Sequence, residues 1–325
     1  MIDEVNQGLD RGPVLQPREV IAAGYEVIEH LRRGKRLDVY DVWSVERACR
    51  CVAKAIVPDR LHEEKTRTKL IGEGELLMKL THPNIVRAYD LVENHATHSP
   101  VLILETLTGR TVSHLIDEFE DEMELTDVAW LGIHLCSAVA YLHKHGILHL
   151  DVKPDNVISE AGRAKLLDLS ISGREGSAAA GAGTYDYLAP EQARGEVVSA
   201  ATDVWGIGIT LYETLTGTVP FEPDEDDDDY EDDAGHEEER DDESDSMDYS
   251  DSSEYTDASN DFDPNVYPQA TERAPSVATR RDGLPVALVE IIDACLEPEP
   301  RNRPTVQELA ERLARVAGVD PRASS

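Results

Sequence analysis

The stretch His149-Leu150-Asp151-Val152-Lys153-Pro154-Asp155-Asn156, followed seventeen residues after Asp151 by Asp168, decides how this chain is read. Asp168 lies inside the apolar run Lys165-Leu166-Leu167-Asp168-Leu169. The set comprises an aspartate to orient a hydroxyl, a lysine two residues on, an asparagine five residues on, and a second aspartate beyond a short hairpin. Such a set suits phosphoryl transfer. That reaction asks little covalent chemistry of a protein; it needs metal ligands, charge neutralisation and a positioned nucleophile.

Before this stretch, residues 126–145 are apolar at helical spacing, with Leu131, Leu135, Val139 and Leu142 on one face and Thr126 placed to cap the helix. Nearer the N terminus, short apolar alternations at 25–31, 37–43 and 51–57 predict three antiparallel strands. Residues 63–80 have helical spacing and stop at Thr81-His82-Pro83-Asn84, where proline ends a helix. Two more strands are expected at 85–92 and 101–107, and residues 1–24 read as a loosely held tail. After the hairpin come a Gly/Ala/Ser-rich stretch at 172–183 and helical patterns at 202–215, 284–296 and 305–316.

The formal charge of −35 is unevenly placed. Residues 222–263 hold 23 acidic residues against one basic residue, Arg240, and the rest of the chain holds 43 acidic and 30 basic residues. A chain with no basic footprint is a poor nucleic-acid binder. The acidic run has almost no branched aliphatic residues to offset its ordering entropy, so 222–283 is expected to be a disordered insert and tether. Ser244, Ser246, Ser250, Ser252, Ser253, Thr256 and Ser259 within it are candidate autophosphorylation sites, and its charge would attract basic partners. Cys49, Cys51, Cys136 and Cys295 form no CxxC pair and read as small buried residues of a reducing compartment. No apolar signal core or run of ~20 apolar residues is evident, so a cytoplasmic protein without a membrane span is expected.

Further residues at matching positions are Val52-Ala53-Lys54, Glu73, Gly183-Thr184, Ala189-Pro190-Glu191, Asp203-Val204-Trp205-Gly206 and Arg303. With 149–156, His82-Pro83-Asn84 and Asp168, they make the chain resemble the eukaryotic-like (Hanks-type) serine/threonine protein kinases of prokaryotes, from about residue 25 to 316 apart from the acidic run. The resemblance implies an α+β fold of two lobes: a small β-rich N-lobe with one main helix at 25–108, and a larger helical C-lobe at 109–221 and 284–317, followed by a tail at 318–325. It implies ATP with Mg²⁺, or Mn²⁺ in its place, and protein substrates; the oligomeric state stays open. Asp151 would orient the substrate hydroxyl and Lys153 would neutralise the transferring group, a lysine that goes with Ser/Thr acceptors. Asn156 and Asp168 would hold the metal, and Lys54, paired with Glu73, would reach the α- and β-phosphates. Leu31, Gly34, Val39, Ala53, Ile158 and the backbone of Glu105 and Leu107 would line the nucleotide pocket. Thr184 would bond Asp151 and Lys153, Glu191 and Arg303 would form a structural ion pair, and Asp203 would hold the catalytic-loop backbone.

Three departures qualify the match. Where the family has G-x-G-x-x-G-x-V, residues 31–39 keep only Gly34 and carry Arg32, Arg33, Lys35 and Arg36, so weaker nucleotide binding is expected. Asp168-Leu169-Ser170 replaces Asp-Phe-Gly and keeps the metal ligand. Leu150 replaces the arginine that in relatives binds a phosphate on the activation segment, which makes this a non-RD variant and implies activity independent of that phosphate. A pseudokinase scaffold and a small-molecule phosphotransferase are the competing readings. The first draws on the degraded glycine loop; the second is disfavoured by Ala189-Pro190-Glu191 and Lys153.

Overall fold

The computed structural model describes residues 11–118, 123–177, 181–221 and 267–319. The acidic run and its seven Ser/Thr candidates lie outside the described residues. The N-terminal part is a six-stranded antiparallel sheet of β1 (Val20–Ala22), β2 (Tyr25–Arg33), β3 (Leu37–Ser44), β4 (Cys49–Ile56), β5 (Ala88–Glu93) and β6 (Pro100–Glu105), in the order β1-β2-β3-β4-β6-β5. Its one main helix, α1, spans Glu64–Leu77.

Strand alternation sorts the apolar residues onto two faces. On the outer face Tyr25, Val27, Tyr40, Val42, Cys51, Ala53, Val101 and Ile103 form one buried cluster. The inner face, with Leu102 and Leu104, joins Leu70 and Leu77 of α1 in a second cluster that runs on into the C-lobe. The outer face needs a cover, and the chain before β2 supplies it: Ile21 is fully buried and Val14 and Leu15 pack on the cluster. The loosely held tail expected over 1–24 is therefore corrected for residues 11–24: Val20–Ala22 join the sheet as β1, and the chain before them packs on its outer face.

The C-lobe begins with β7 (Arg110–Thr111), α2 (Val112–Glu118) and α3 (Leu125–Lys144). Then come β8 (Val157–Glu160), β9 (Arg163–Leu166), β10 (Gly176–Ser177), α4 (Pro190–Ala193), β11 (Val197–Val198), α5 (Ala200–Thr216), α6 (Pro268–Thr271), α7 (Val286–Cys295) and α8 (Val306–Val316). Helix α3 is long and apolar enough to cross a membrane by length and composition, yet Leu131, Leu135, Val139 and Leu142 are buried in the lobe's core with residues of α5, α7 and α8. Thr126 does not cap it; Glu124 occupies the cap position without a side-chain bond, and the helix has already begun at Leu125. Caps do fix the ends elsewhere. Ser199 accepts from Ala201 N and opens α5, Gly217 ends it at φ 76°, and Thr305 with Glu308 forms a reciprocal box at the start of α8.

The tether expected over 222–283 is corrected for residues 267–283, which are packed. Gln269 donates to Tyr185 O at 2.7 Å, Val277 is fully buried, and Arg281 donates to Leu215 O at 3.2 Å. These contacts tie the chain after the acidic run back onto the lobe on which α5 lies.

Candidate active site

The site forms where the β8–β9 hairpin and the loop before it meet the inner face of the sheet. Asp203, at the start of α5, accepts from His149 N at 2.9 Å, Leu150 N at 2.7 Å and His143 Nε2 at 2.7 Å. Two consecutive backbone donors on one buried carboxylate hold the loop in a conformation that a free chain would rarely adopt: Leu150 has φ 69°, left-handed for a non-glycine residue. His149 Nδ1 accepts from Asp151 N at 3.2 Å, so its Nε2 carries the proton and donates to Leu167 O at 3.0 Å.

Asp151 is thereby presented with both carboxylate oxygens engaged from the side. Thr184 Oγ1 donates to its Oδ1 at 2.8 Å, and Asn156 Nδ2 donates to its Oδ2 and to its carbonyl, both at 2.9 Å. Lys153 Nζ donates to Thr184 Oγ1 at 2.7 Å, so Lys153, Thr184, Asp151 and Asn156 form one chain of hydrogen bonds. The amide nitrogen of Asn156 is spent inside the loop, which leaves its carbonyl oxygen for a cation. Asp168, also at positive φ (50°), accepts from Ser170 N at 2.9 Å through Oδ1 and keeps a side chain 34 % exposed.

Lys54 reaches the same point from β4. It donates to Glu73 Oε1 of α1 at 2.8 Å and lies 3.5 Å from Asp168 Oδ2. Burial alone would push its proton off; the Asp168 and Glu73 carboxylates outweigh burial and hold the ammonium above its ordinary value. Asp168 moves the other way: burial opposes its charge, but Lys54 and the Ser170 bond hold the carboxyl below its usual range. Burial raises Glu73, with Lys54 opposing. The resulting arrangement is a cation 3.5 Å from a part-exposed carboxylate, with the Asn156 amide on the neighbouring loop. No group of three or more His, Cys, Asp or Glu that could cage a metal occurs among the described residues. Two oxygen donors suit a hard divalent cation that brings phosphate and water as its other ligands, so the residues fit a nucleotide-bound metal.

Of the expected nucleotide-lining residues, Val39 lies directly across from Lys54, and Ile158 pairs with Lys165 on the hairpin below. Glu105 closes β6 and its carboxylate accepts from Lys165 of β9 and from Arg87 N; Leu107 is partly buried against the main core. Leu31 is half exposed at the end of β2. Ala53 is a correction: it pairs with Tyr40 and Ile103 and is fully buried on the outer face, away from the cleft. Successive strand residues point to opposite sides, so the residue that shares the face of Lys54 is Val52, which packs against the main core. That parity was available in the sequence.

Gly34 sits in a tight β2–β3 turn, its N–H donating to Leu37 O at 2.8 Å. The turn is braced from outside. Arg11 donates to Gly34 O at 2.6 Å and Lys35 O at 2.9 Å, while Arg33 donates to Gly12 O at 2.7 Å and pairs bidentately with the buried Asp38 at 2.8 and 2.9 Å.

Beside the 149–156 loop lies an acidic group that the sequence motifs do not single out. Glu213 of α5 accepts from Tyr187 OH at 2.8 Å and is raised to about 7, by burial first and then by Asp155, Asp117 and Asp186. Behind it, Glu191 and Arg303 form a fully buried bidentate pair, both bonds 2.8 Å.

The protein kinase domain model matches residues 25–313. Myosin light chain kinase 3 of Homo sapiens is 32 % identical over 209 residues, 62 % of this chain and 25 % of that protein. A probable serine/threonine-protein kinase of Streptomyces coelicolor is 31 % identical over 224 residues, 64 % of this chain and 32 % of its own length. The chain thus spans about a quarter to a third of the curated relatives it matches. The PknI kinase domain of Mycobacterium tuberculosis superposes with a TM-score of 0.65 at 20 % identity, covering 93 % of this chain and 100 % of that one, which is a likeness of fold. With the match running through both lobes, from residue 25 to 313, this chain belongs to the protein kinase family.

Proposed function

We propose that the protein is an active serine/threonine kinase that transfers the γ-phosphoryl group of ATP, carried with Mg²⁺ or Mn²⁺, to hydroxyls of protein substrates without a phosphorylated activation segment. The observation that carries this reading is the assembled pair Lys54–Glu73 at 2.8 Å beside Asp168, because a scaffold without chemistry has no need to hold a buried lysine in that place. In the proposed cycle Lys54 steadies the α- and β-phosphates. Asn156 Oδ1 and Asp168 would hold the metal, whose charge would lower the barrier of the transfer. Asp151 accepts a hydrogen bond from the incoming hydroxyl, and Lys153 neutralises the moving phosphoryl group.

The carboxylates of Asp155, Asp186 and Asp117 clustered around Glu213 support a preference for arginine or lysine in the substrate, because such a cluster attracts basic side chains. A reducing, cytoplasmic setting fits four free cysteines, three of them buried. The test is transfer of labelled phosphate from ATP to the chain itself and to a basic Ser/Thr peptide, in wild type, Asp151→Ala and Asp168→Ala. Transfer in the wild type, with a loss of at least about a hundredfold in both variants, is expected. A folded, nucleotide-binding wild type with no transfer to either acceptor would establish the scaffold reading instead.

A further inference from the structure

We propose that Gln192 is a positioning residue that latches the activation segment to the catalytic loop, doing with an amide what an arginine–phosphate pair would otherwise do. The inference rests on the kinase reading above and concerns the regulation of that same site. Gln192 follows Glu191 in α4 and is only 3 % exposed. Its side chain uses all its main capacity: Oε1 accepts from Ala189 N at 3.2 Å, while Nε2 donates to Leu150 O at 2.9 Å and to Ala182 O at 3.0 Å. Its own carbonyl accepts from Gly181 N at 3.0 Å.

Leu150 O belongs to the peptide group that leads into Asp151. The N–H of that same peptide is taken by His149 Nδ1 at 3.2 Å, so both poles of the unit before the catalytic aspartate are fastened. Leu150 has positive φ, a conformation that persists only when its surroundings over-determine it. Asp203 fixes the N–H side of Leu150 and Gln192 fixes the carbonyl side. The second Nε2 bond reaches Ala182, two residues before Thr184, whose hydroxyl touches Asp151. A single side chain therefore sets the distance between the two strands of chain that converge on the catalytic aspartate.

Gly183 is part of the same device. It lies at φ 143°, and a Cβ there would fall 2.6 Å from Leu188 Cδ2 and 3.4 Å from Gln192 Nε2. The backbone passes this close because no side chain intervenes. Leucine at 150 offers no guanidinium to a phosphate at that position, and the permanent amide bridge makes one there unnecessary. The latch is set by folding.

Two variants separate this role from simple capping of α4. Gln192→Glu keeps an acceptor for Ala189 N and removes both donors, whereas Gln192→Met removes everything at similar volume. The purified full chain is assayed for kcat and for KM of ATP, and hydrogen exchange is followed over residues 181–188. Both variants should lose about tenfold in kcat, equivalent to about 1.4 kcal/mol, with KM for ATP within twofold of wild type and faster exchange over 181–188. Phosphatase treatment of the wild type should leave kcat unchanged. Wild-type kcat and wild-type exchange in Gln192→Glu would overturn the latch, as would a large phosphatase effect. Should Gln192→Met fail to fold, Gln192→Glu alone decides. If the wild type transfers no phosphate the kinase reading fails, and the exchange measurement still reports on the latch.

Discussion

Replacing Arg303 by methionine should cost about 4 kcal/mol at pH 7, and most of that cost should vanish when Glu191 is replaced as well. In the folded protein the guanidinium makes two bonds of 2.8 Å to Glu191, and others to Glu297 O at 2.8 Å, Ala201 O at 2.9 Å and Pro298 O at 3.1 Å. Its plane lies over the Trp205 ring, 4.9 Å from the centroid. Both side chains are at most 2 % exposed, so water cannot replace the lost partner. Arg303→Met strands a buried carboxylate that still accepts from the Thr202 hydroxyl at 2.8 Å. Breaking a buried pair from one side typically costs about 3–5 kcal/mol, whereas exchanging both partners for apolar groups of similar volume is often close to neutral. The stranded carboxylate can escape by taking up a proton, which costs about 1.4 kcal/mol per pH unit above the ordinary carboxylate range. The charge part of the penalty is therefore capped near 4 kcal/mol at pH 7 and near 1 kcal/mol at pH 5, while the bonds to Glu297 O, Ala201 O and Pro298 O are lost at either pH. The sign is fixed: the variant's folded state binds the extra proton, so its deficit grows as pH rises. Urea unfolding of wild type, Arg303→Met and Glu191→Met/Arg303→Met at pH 7 and pH 5 measures all of this. A single variant less than about 1 kcal/mol below wild type at pH 7, or a double variant no better than the single, would refute the reasoning.

Two further outcomes can be checked with the same protein. Glu213, raised to about 7 mainly by burial, binds a proton in the folded state at pH values where the unfolded chain has released it. Its contribution to stability is fully present below the ordinary glutamate range and is lost as pH rises through about 7, a change of about 3 kcal/mol. Glu213→Gln should flatten that part of the stability profile, and should also remove any tightening of KM for an arginine-bearing peptide between pH 6 and 8; an unchanged profile in both would reject the assignment. Arg11→Ala removes two bonds to the carbonyls of the β2–β3 turn, so KM for ATP should rise about three- to tenfold, with stability within about 0.5 kcal/mol of wild type. An unchanged KM would show that the brace does not reach the nucleotide.

The catalytic loop was legible because its chemistry fixes residue type at fixed spacing: the Asp151, Lys153, Asn156 and Asp168 positions, with Lys54 and Glu73, are brought to one cleft. The main helix and five of the six strands were legible from periodicity alone, to within a few residues. Ala53 was misread because its type, not its parity, was followed; one step along a strand changes the face. The chain before β2 was misread because Leu15 and Ile21 are separated by Gln16-Pro17-Arg18-Glu19-Val20 with no period, and the burial of Val14, Leu15 and Ile21 depends on a sheet formed by later sequence. The packing of residues 267–283 was hidden for the same reason, since its anchors are polar bonds to Tyr185, Leu215 and Asp293. Gln192 and Glu213 carry no local signal at all; what they do is set by which backbone groups the fold delivers to them.

The brace on the β2–β3 turn has a mechanical consequence. The segment from Arg11 to Ala22 crosses the outer side of the sheet with one end gripping Gly34 and Lys35 and the other built into the β1–β2 pair. It joins the two ends of the sheet's outer side as a strut would: a displacement of the chain at Arg11 would be passed to the β2–β3 turn through these two bonds.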